Sequence, residues 1–239
     1  MNEATGRERV AYFGGSFDPP HLGHLAIARA ARQALHLDTV LFAPVGAQPL
    51  KPHGSTASFA DRVAMTRLAT GAEPGMSLSL ADAPTQTGSP NYSLETLRRV
   101  RAELPEGSTL FFLMGLDSFL SLRRWHRAAE IPFVAPLIVA ARPGQRLDDL
   151  RAGLPEELSL APAADAHQSV AGIAVRCYSI TNAAGESAPF YLLPDLDVEI
   201  SASQIRAQIR ATGTDGLEAR KILPDRVAEY VRTRGLYRA

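Results

Sequence analysis

Apolar positions along the chain fall into short continuous runs and helical spacings that alternate. Val10–Phe13 is an apolar run closed by Gly14-Gly15, and from His21 the residues Leu22, Leu25, Ala26, Ala30 and Leu35 recur at helical spacing. That pattern predicts a strand, a glycine turn and a helix. Thr39–Val45 predicts a second buried strand, and Phe59, Val63 and Leu68 predict one face of a second helix. Met76–Leu80 predicts a strand, Leu94, Leu97, Val100 and Leu104 a helix, Leu110–Met114 a strand followed by Gly115, and Phe133–Ala141 another strand. Strands alternating with helices predict an α/β architecture: a doubly wound, mostly parallel sheet with helices on both faces.

The pattern weakens from Pro143 to Pro189, where Pro, Gly, Ala and Asp are scattered among short apolar pieces, and this segment reads as an insertion without assigned structure. Regularity returns at Tyr191-Leu192-Leu193. Ser201 then opens a helix bearing Ile205 and Ile209, with Ser201 and Gln204 in a capping-box pattern. A last helix starts at Pro224 and stops near Gly235. In open parallel sheets ligands bind beyond the carboxyl ends of the strands, so the loops that follow the strands hold the candidate chemistry.

Composition narrows the classes. Of 239 residues, 46% are hydrophobic and 21% charged, the balance of an ordinary globular chain that needs no disulfide or metal staple. The single Cys177 fits a reducing compartment, and a cytoplasmic location is expected. Twenty-five basic residues balance 25 acidic ones, so neither nucleic acid nor a membrane surface is expected as a partner held by bulk charge. The first ten residues are polar, and the longest apolar stretch, Ile131–Ala141, is interrupted by Pro132 and Pro136, which argues against a secretion signal or a membrane span. The basic residues are arginines except Lys51 and Lys221, so phosphate recognition would rest mainly on guanidinium forks.

The most informative segment is GGSFDPPHLGH, Gly14 to His24. Backbone amides of Gly14, Gly15, Ser16 and Phe17 can approach phosphate closely, and the following helix N-terminus favours an anion. The segment is neither a G-x-G-x-x-G nor a Walker loop. His21 and His24 lie three apart in the first helical turn and can donate ring N–H groups to a transferring phosphoryl group. Zinc would require further ligands, and no H-E-x-x-H pattern or cysteine cluster supplies them, so no protein-held metal is expected.

GSFDPPHLGH resembles the H-x-G-H signature of the nucleotidyltransferase superfamily, and ISASQIR at Ile200–Arg206 resembles its second signature. Gly115-Leu116-Asp117-Ser118, Trp125-His126, Arg142-Pro143-Gly144 and Gly235-Leu236-Tyr237-Arg238 resemble, more narrowly, the bacterial nicotinate mononucleotide adenylyltransferase family across nearly the whole chain. The resemblance implies one Rossmann-like nucleotidyltransferase domain over residues 1–239, with a nucleotide-binding core at 8–144, the insertion at 145–190 and a C-terminal helical part at 191–239. It implies transfer of AMP from ATP to nicotinate mononucleotide, giving nicotinate adenine dinucleotide and pyrophosphate, a step of NAD biosynthesis. The mononucleotide phosphate would attack the α-phosphorus in line, without a covalent enzyme intermediate. Mg2+ is expected with the ATP.

By the same resemblance His21 and His24 would grip the ATP phosphates, Arg206 would hold the departing β and γ phosphates, and Ser203 would add a hydrogen bond. Arg210, one turn on, reads as solvated or structural. Asp117 would lie near the ribose and magnesium, with Gly115 among the ATP contacts, although Asp117 could equally cap a helix. Arg142 would sit over adenine or near phosphate. Lys51, which follows Gln48-Pro49-Leu50 where relatives carry a basic run with a histidine, would meet the mononucleotide phosphate, with an exposed loop lysine as the alternative. Trp125 would offer a stacking face to the pyridine ring or else belong to the core. His126 and Ser93, where many relatives have Tyr and Thr, would lie beside the nicotinate carboxylate.

Two other classes stay open. One is a sister enzyme acting on phosphopantetheine or nicotinamide mononucleotide. The other is a non-catalytic nucleotide sensor that keeps the fold, against which the joint presence of His21, His24 and Arg206 argues. Self-association into a homo-oligomer also stays open.

Overall fold

The computed structural model describes residues 6–47, 54–86, 88–141, 147–194, 196, 201–213 and 222–238, with the side chains of 147–149 left out. Its strands are β1 (Arg9–Gly15), β2 (Thr39–Pro44), β3 (Met76–Leu78), β4 (Thr109–Gly115), β5 (Leu137–Ala140), β6 (Leu158–Val170), β7 (Ile173–Asn182) and β8 (Ser187–Leu193). The helices are α1 (Leu22–Ala34), α2 (Phe59–Thr70), α3 (Ser93–Glu103), α4 (Leu116–Leu120), α5 (Ile131–Val134), α6 (Leu147–Gly153), α7 (Ala202–Thr212) and α8 (Asp225–Arg234), with single 3-10 turns at Leu122–Arg124 and Ala128–Glu130.

The strands form one eight-stranded sheet in the order β3-β2-β1-β4-β5-β8-β7-β6. β1 pairs with β4, β4 with β5 and β5 with β8 in parallel, while β7 runs antiparallel to both β8 and β6. This is a Rossmann-like, mostly parallel sheet, and its strand order reverses at β1, the place where such sheets bind ligands. The predicted alternation is therefore present from β1 to β5.

One local expectation is corrected and one gap is filled. Phe133–Ala141 is not one strand: Pro132 sits at the start of the short α5, and only Leu137–Ala140 is extended. The segment between Pro143 and Pro189, to which the sequence assigns no structure, is mostly regular among its described residues. It contributes α6, the β6–β7 hairpin and the start of β8, and Gly172 supplies the positive φ of 80° at the hairpin turn.

Contacts divide the chain into two compact units. The first comprises Met1–Phe13, Arg29–Val40 and Tyr92–Asp197, the second Gly14–Ala28, Leu41–Asn91 and Val198–Ala239. The core of the first is built on β4 and β5, where Leu110–Met114 and Leu137–Val139 are all buried, as expected of strands covered on both sides. Leu94, Leu97 and Val100 of α3 are also buried, and Phe119 meets Phe190 at a ring-centroid distance of 5.3 Å.

The second unit buries Phe17, Leu25, Phe42, Met65, Ile205, Ile209, Val227 and Val231. Its helix α2 departs from the sequence expectation. The buried stripe is not Phe59, Val63 and Leu68 but Asp61, Arg62, Met65, Thr66, Ala69 and Thr70. Polar residues can occupy that face because each finds a partner. The Thr66 hydroxyl donates to the Arg62 carbonyl at 2.8 Å and the Thr70 hydroxyl to the Thr66 carbonyl at 3.0 Å. Asp61 accepts from the Ser58 hydroxyl at 2.6 Å and the Tyr230 hydroxyl at 2.9 Å. No helix among the described residues is long and apolar enough to cross a membrane.

Candidate functional site

The second unit holds the carboxyl end of β1 and the turn into α1. His21 caps α1, and its own amide donates to the Nδ1 atom of His24 at 3.2 Å. This is the reciprocal half of a capping box, with an imidazole in the place of the usual Glu or Gln. The bond fixes a tautomer: Nδ1 of His24 accepts, so the proton of the neutral ring lies on Nε2. The two rings lie 3.7 Å apart between centroids at 30°.

Both imidazoles are neutral. Burial lowers the His21 pKa from 6.5 to about 4, and burial together with the adjacent His21 holds His24 well below the ordinary histidine range. His21 is 5% exposed and its Nδ1 atom has no hydrogen-bond partner, a cost that a bound ligand can relieve.

Beneath the loop, the Phe17 side chain packs inward. It is buried, with its ring centroid 5.4 Å from that of Phe42 and 5.0 Å from that of His24, which it meets edge to face. A Cβ on Gly15 would come within 3.2 Å of the Phe17 ring, so the backbone of Gly14 to Phe17 is left as the part that can meet a ligand. Arg62 braces this loop from below. Its guanidinium donates to the Ser16 carbonyl at 2.7 Å and the Val45 carbonyl at 2.8 Å, clamping the exits of β1 and β2. Burial lowers its pKa, and the negative charge of Asp18 opposes that shift.

Asp18 is the hub. It is buried, and its carboxylate accepts from the Thr56 amide at 2.6 Å, the Ala57 amide at 3.0 Å and the Tyr237 hydroxyl at 2.8 Å. Arg206 reaches the same residue from α7, donating to the Asp18 carbonyl at 2.7 Å with its guanidinium 3.9 Å from the carboxylate. Ser201 caps α7 by accepting from the Gln204 amide at 3.2 Å, as the sequence predicts, and the exposed Ser203 accepts from Arg206 at 3.2 Å. The second unit thus brings together His21, His24, Ser16, Ser203 and Arg206. Arg210 is exposed. Two cationic guanidiniums against one carboxylate leave a net positive charge beside two neutral N–H donors, a setting for a polyphosphate.

A companion loop in this unit is tied down by Asn91. Its side chain accepts from the Ala47 amide at 3.2 Å and donates to the Ala83 carbonyl at 3.0 Å. Gly46 is obligatory there, because a Cβ would stand 2.5 Å from the Pro84 backbone nitrogen. Lys51 and Arg142 lie outside the described residues.

In the first unit, Trp125 is half-buried. Its indole donates to the Ser121 hydroxyl at 3.0 Å, and its ring centroid lies 6.1 Å from that of Phe112. The exposed His126 stacks on Tyr92 at 4.4 Å, and Ser93 opens α3 beside it. Gly115 caps α4, and Asp117 stands exposed in the first turn without acting as the cap. Among the described residues no group of three or more His, Cys, Asp and Glu side chains could hold a metal ion.

Sequence reasoning assigned no role to Asp18, Arg62 or Tyr237. Asp18 and Tyr237 lie inside segments already singled out. Arg62 gave no signal, since an arginine on a helix ordinarily reads as solvated.

Residues 12–208 match the family described as cytidylyltransferase-like. The chain is 38% identical over 230 residues to a protein of Gloeobacter violaceus named "Probable nicotinate-nucleotide adenylyltransferase", covering 96% of each chain. A protein of Stenotrophomonas maltophilia with the same name is 39% identical over 236 residues, covering 95% of this chain and 96% of the other. In fold, the chain is similar to the Plasmodium falciparum nicotinic acid mononucleotide adenylyltransferase complexed with NaAD, at a TM-score of 0.67 and 14% identity over 97% of this chain and 98% of that one.

Proposed function

The chain belongs to the nicotinate-nucleotide adenylyltransferases of the cytidylyltransferase-like family, nucleotidyltransferases of NAD biosynthesis, and we propose that its Gly14–His24 turn, Ser203 and Arg206 form the ATP phosphate site. The reaction moves AMP from ATP to nicotinate mononucleotide. A phosphate oxygen of the mononucleotide attacks the α-phosphorus, the bond from that phosphorus to the oxygen bridging to the β-phosphate breaks, and pyrophosphate leaves. No protein nucleophile is needed, so the work of the enzyme is alignment and neutralisation of the charge that repels the two phosphates.

The observation that carries the reading is the neutral histidine pair with an oriented His24 tautomer. A neutral imidazole donating from Nε2 stabilises charge gathering on a phosphoryl oxygen without giving up a proton. Arg206, steadied by Asp18, receives the pyrophosphate as it departs. Magnesium enters as part of MgATP, the substrate, and no residue cluster of the chain is assigned to it.

The acceptor contacts follow the family resemblance residue by residue. Trp125 faces the pyridine ring, His126 and Ser93 lie beside its carboxylate, and Lys51 meets the mononucleotide phosphate. Asp117, Gly115 and Arg142 serve the adenosine end of ATP. His126 lacks the hydroxyl that Tyr would offer, whereas Ser93 keeps that of Thr; if backbone amides meet the carboxylate these changes matter little, and if side-chain hydroxyls do, selectivity for nicotinate over nicotinamide falls.

The test is pyrophosphate release from MgATP with nicotinate mononucleotide, nicotinamide mononucleotide and phosphopantetheine offered in parallel. Turnover with the first in strong preference supports the assignment. Preferred turnover of phosphopantetheine moves the chain to a sister activity, and ATP binding without turnover of any acceptor makes it a sensor.

A further inference from the structure

The C-terminal turn reaches back into the phosphate cluster. Helix α8 ends at Gly235, whose φ of 64° is a left-handed C-cap, and the Gly235 and Leu236 amides donate to the carbonyls of Arg232 and Val231. The turn sends Tyr237 inward. It too has a φ of 64°, an uncommon conformation for a bulky residue and one that its surroundings must hold in place. The ring is 6% exposed, and the hydroxyl donates to Asp18 Oδ1 at 2.8 Å. Burial and then the adjacent Asp18 carboxylate raise the Tyr237 pKa, so the group stays a phenol and a donor.

Asp18 faces three ways at once. Tyr237 and the Ala57 amide hold Oδ1, the Thr56 amide holds Oδ2, and Oδ2 lies 3.9 Å from the guanidinium of Arg206. The tail therefore grips the carboxylate against which Arg206 is aligned. We propose that Tyr237 is a positioning residue for the polyphosphate end of ATP, acting through Asp18 on Arg206. The inference rests on the assignment of Arg206 to the ATP phosphates. Without the phenol, the carboxylate loses one of its three hydrogen-bond donors and is free to turn toward the guanidinium, drawing it out of line. The loss falls on ATP and spares the acceptor.

The experiment compares Tyr237→Phe with Tyr230→Phe. Tyr230 also donates its hydroxyl to a buried carboxylate of the same unit, Asp61 at 2.9 Å, but the cation beside Asp61 is Arg234 and not Arg206. Steady-state kinetics with both substrates and calorimetric titration with a non-hydrolysable ATP analogue are measured on the full chain. Tyr237→Phe should raise the KM for ATP and the analogue Kd by about fivefold or more and leave the KM for nicotinate mononucleotide within about twofold, while Tyr230→Phe changes none of the three. Combined with Arg206→Lys, the losses should be clearly less than additive.

Equal behaviour of the two Phe variants, or additive losses, would overturn the proposal. Should Tyr237→Phe fail to fold, hydrogen exchange on the unaltered chain decides. Analogue binding should slow exchange of the amides at 235–238, by reciprocity of coupling, and unchanged exchange there would overturn the proposal. A chain that binds the analogue but transfers nothing to nicotinate mononucleotide would remove the assigned reaction while the binding comparison still judges Tyr237.

Discussion

Lowering the pH from about 7.5 to about 4.5 should destabilise the folded chain through His21 alone by about 2.5 kcal/mol. The value follows from the His21 environment. The unfolded side chain titrates near 6.5, and the buried one near about 4. Between those values the unfolded chain takes up a proton that the folded chain refuses, so acid favours unfolding. The contribution is fully present above 6.5, is lost as the pH falls toward 4, and is constant below that. His21→Asn removes the titration and keeps a polar side chain of similar reach. Urea unfolding of the original chain and the variant at steps of about half a pH unit gives two stability curves. Carboxylate titrations contribute to both, and His24 is present in both, so their difference isolates His21 and its repulsion of His24. The curves should diverge by about 2 to 3 kcal/mol at about pH 4.5. Parallel curves would refute the claim that His21 is held neutral by burial.

Three further outcomes are expected. His24→Ala should lower turnover by about 100-fold or more while costing about 1 kcal/mol of stability for the lost cap, read by kinetics and thermal melting; a loss under about tenfold would remove His24 from the transition state. Gly46→Ala should cost about 1 to 3 kcal/mol, because the added methyl would stand 2.5 Å from backbone and not from a flexible side chain, and an unchanged melting temperature would contradict that packing. Arg62→Met should cost about 3 kcal/mol or more, since it leaves the Ser16 and Val45 carbonyls without their donor and removes a counter-charge of Asp18, and chemical denaturation measures it.

Most of the parallel sheet was legible because strands covered on both faces must be apolar throughout, as Leu110–Met114 is. The β6–β7 hairpin was not. Its outer residues alternate little and stay exposed, so the periodicity that marks a half-buried strand is missing from Ala163 to Val170. Helix α2 was placed correctly but given the wrong face, because its buried stripe is written in Arg62, Thr66 and Thr70: the two threonines satisfy their hydroxyls on carbonyls of the helix itself, and the Arg62 bonds to Ser16 and Val45 are invisible until loop and helix come together. The same holds for the site. His21, His24 and Arg206 stand in motifs with a chemical logic of their own, whereas Asp18 is joined to Tyr237 across 219 positions that no local pattern spans.

The central claim is direct transfer of AMP onto a mononucleotide phosphate at the His21, His24 and Arg206 cluster. Its most direct test is ATP labelled at the α-phosphorus, with a parallel sample of unlabelled ATP and labelled pyrophosphate, each incubated with magnesium and the protein, first without and then with nicotinate mononucleotide. The account predicts no label on the protein and no exchange of pyrophosphate into ATP until the acceptor is added, then one labelled dinucleotide for each pyrophosphate released. Label bound to the protein, or exchange without the acceptor, would contradict it.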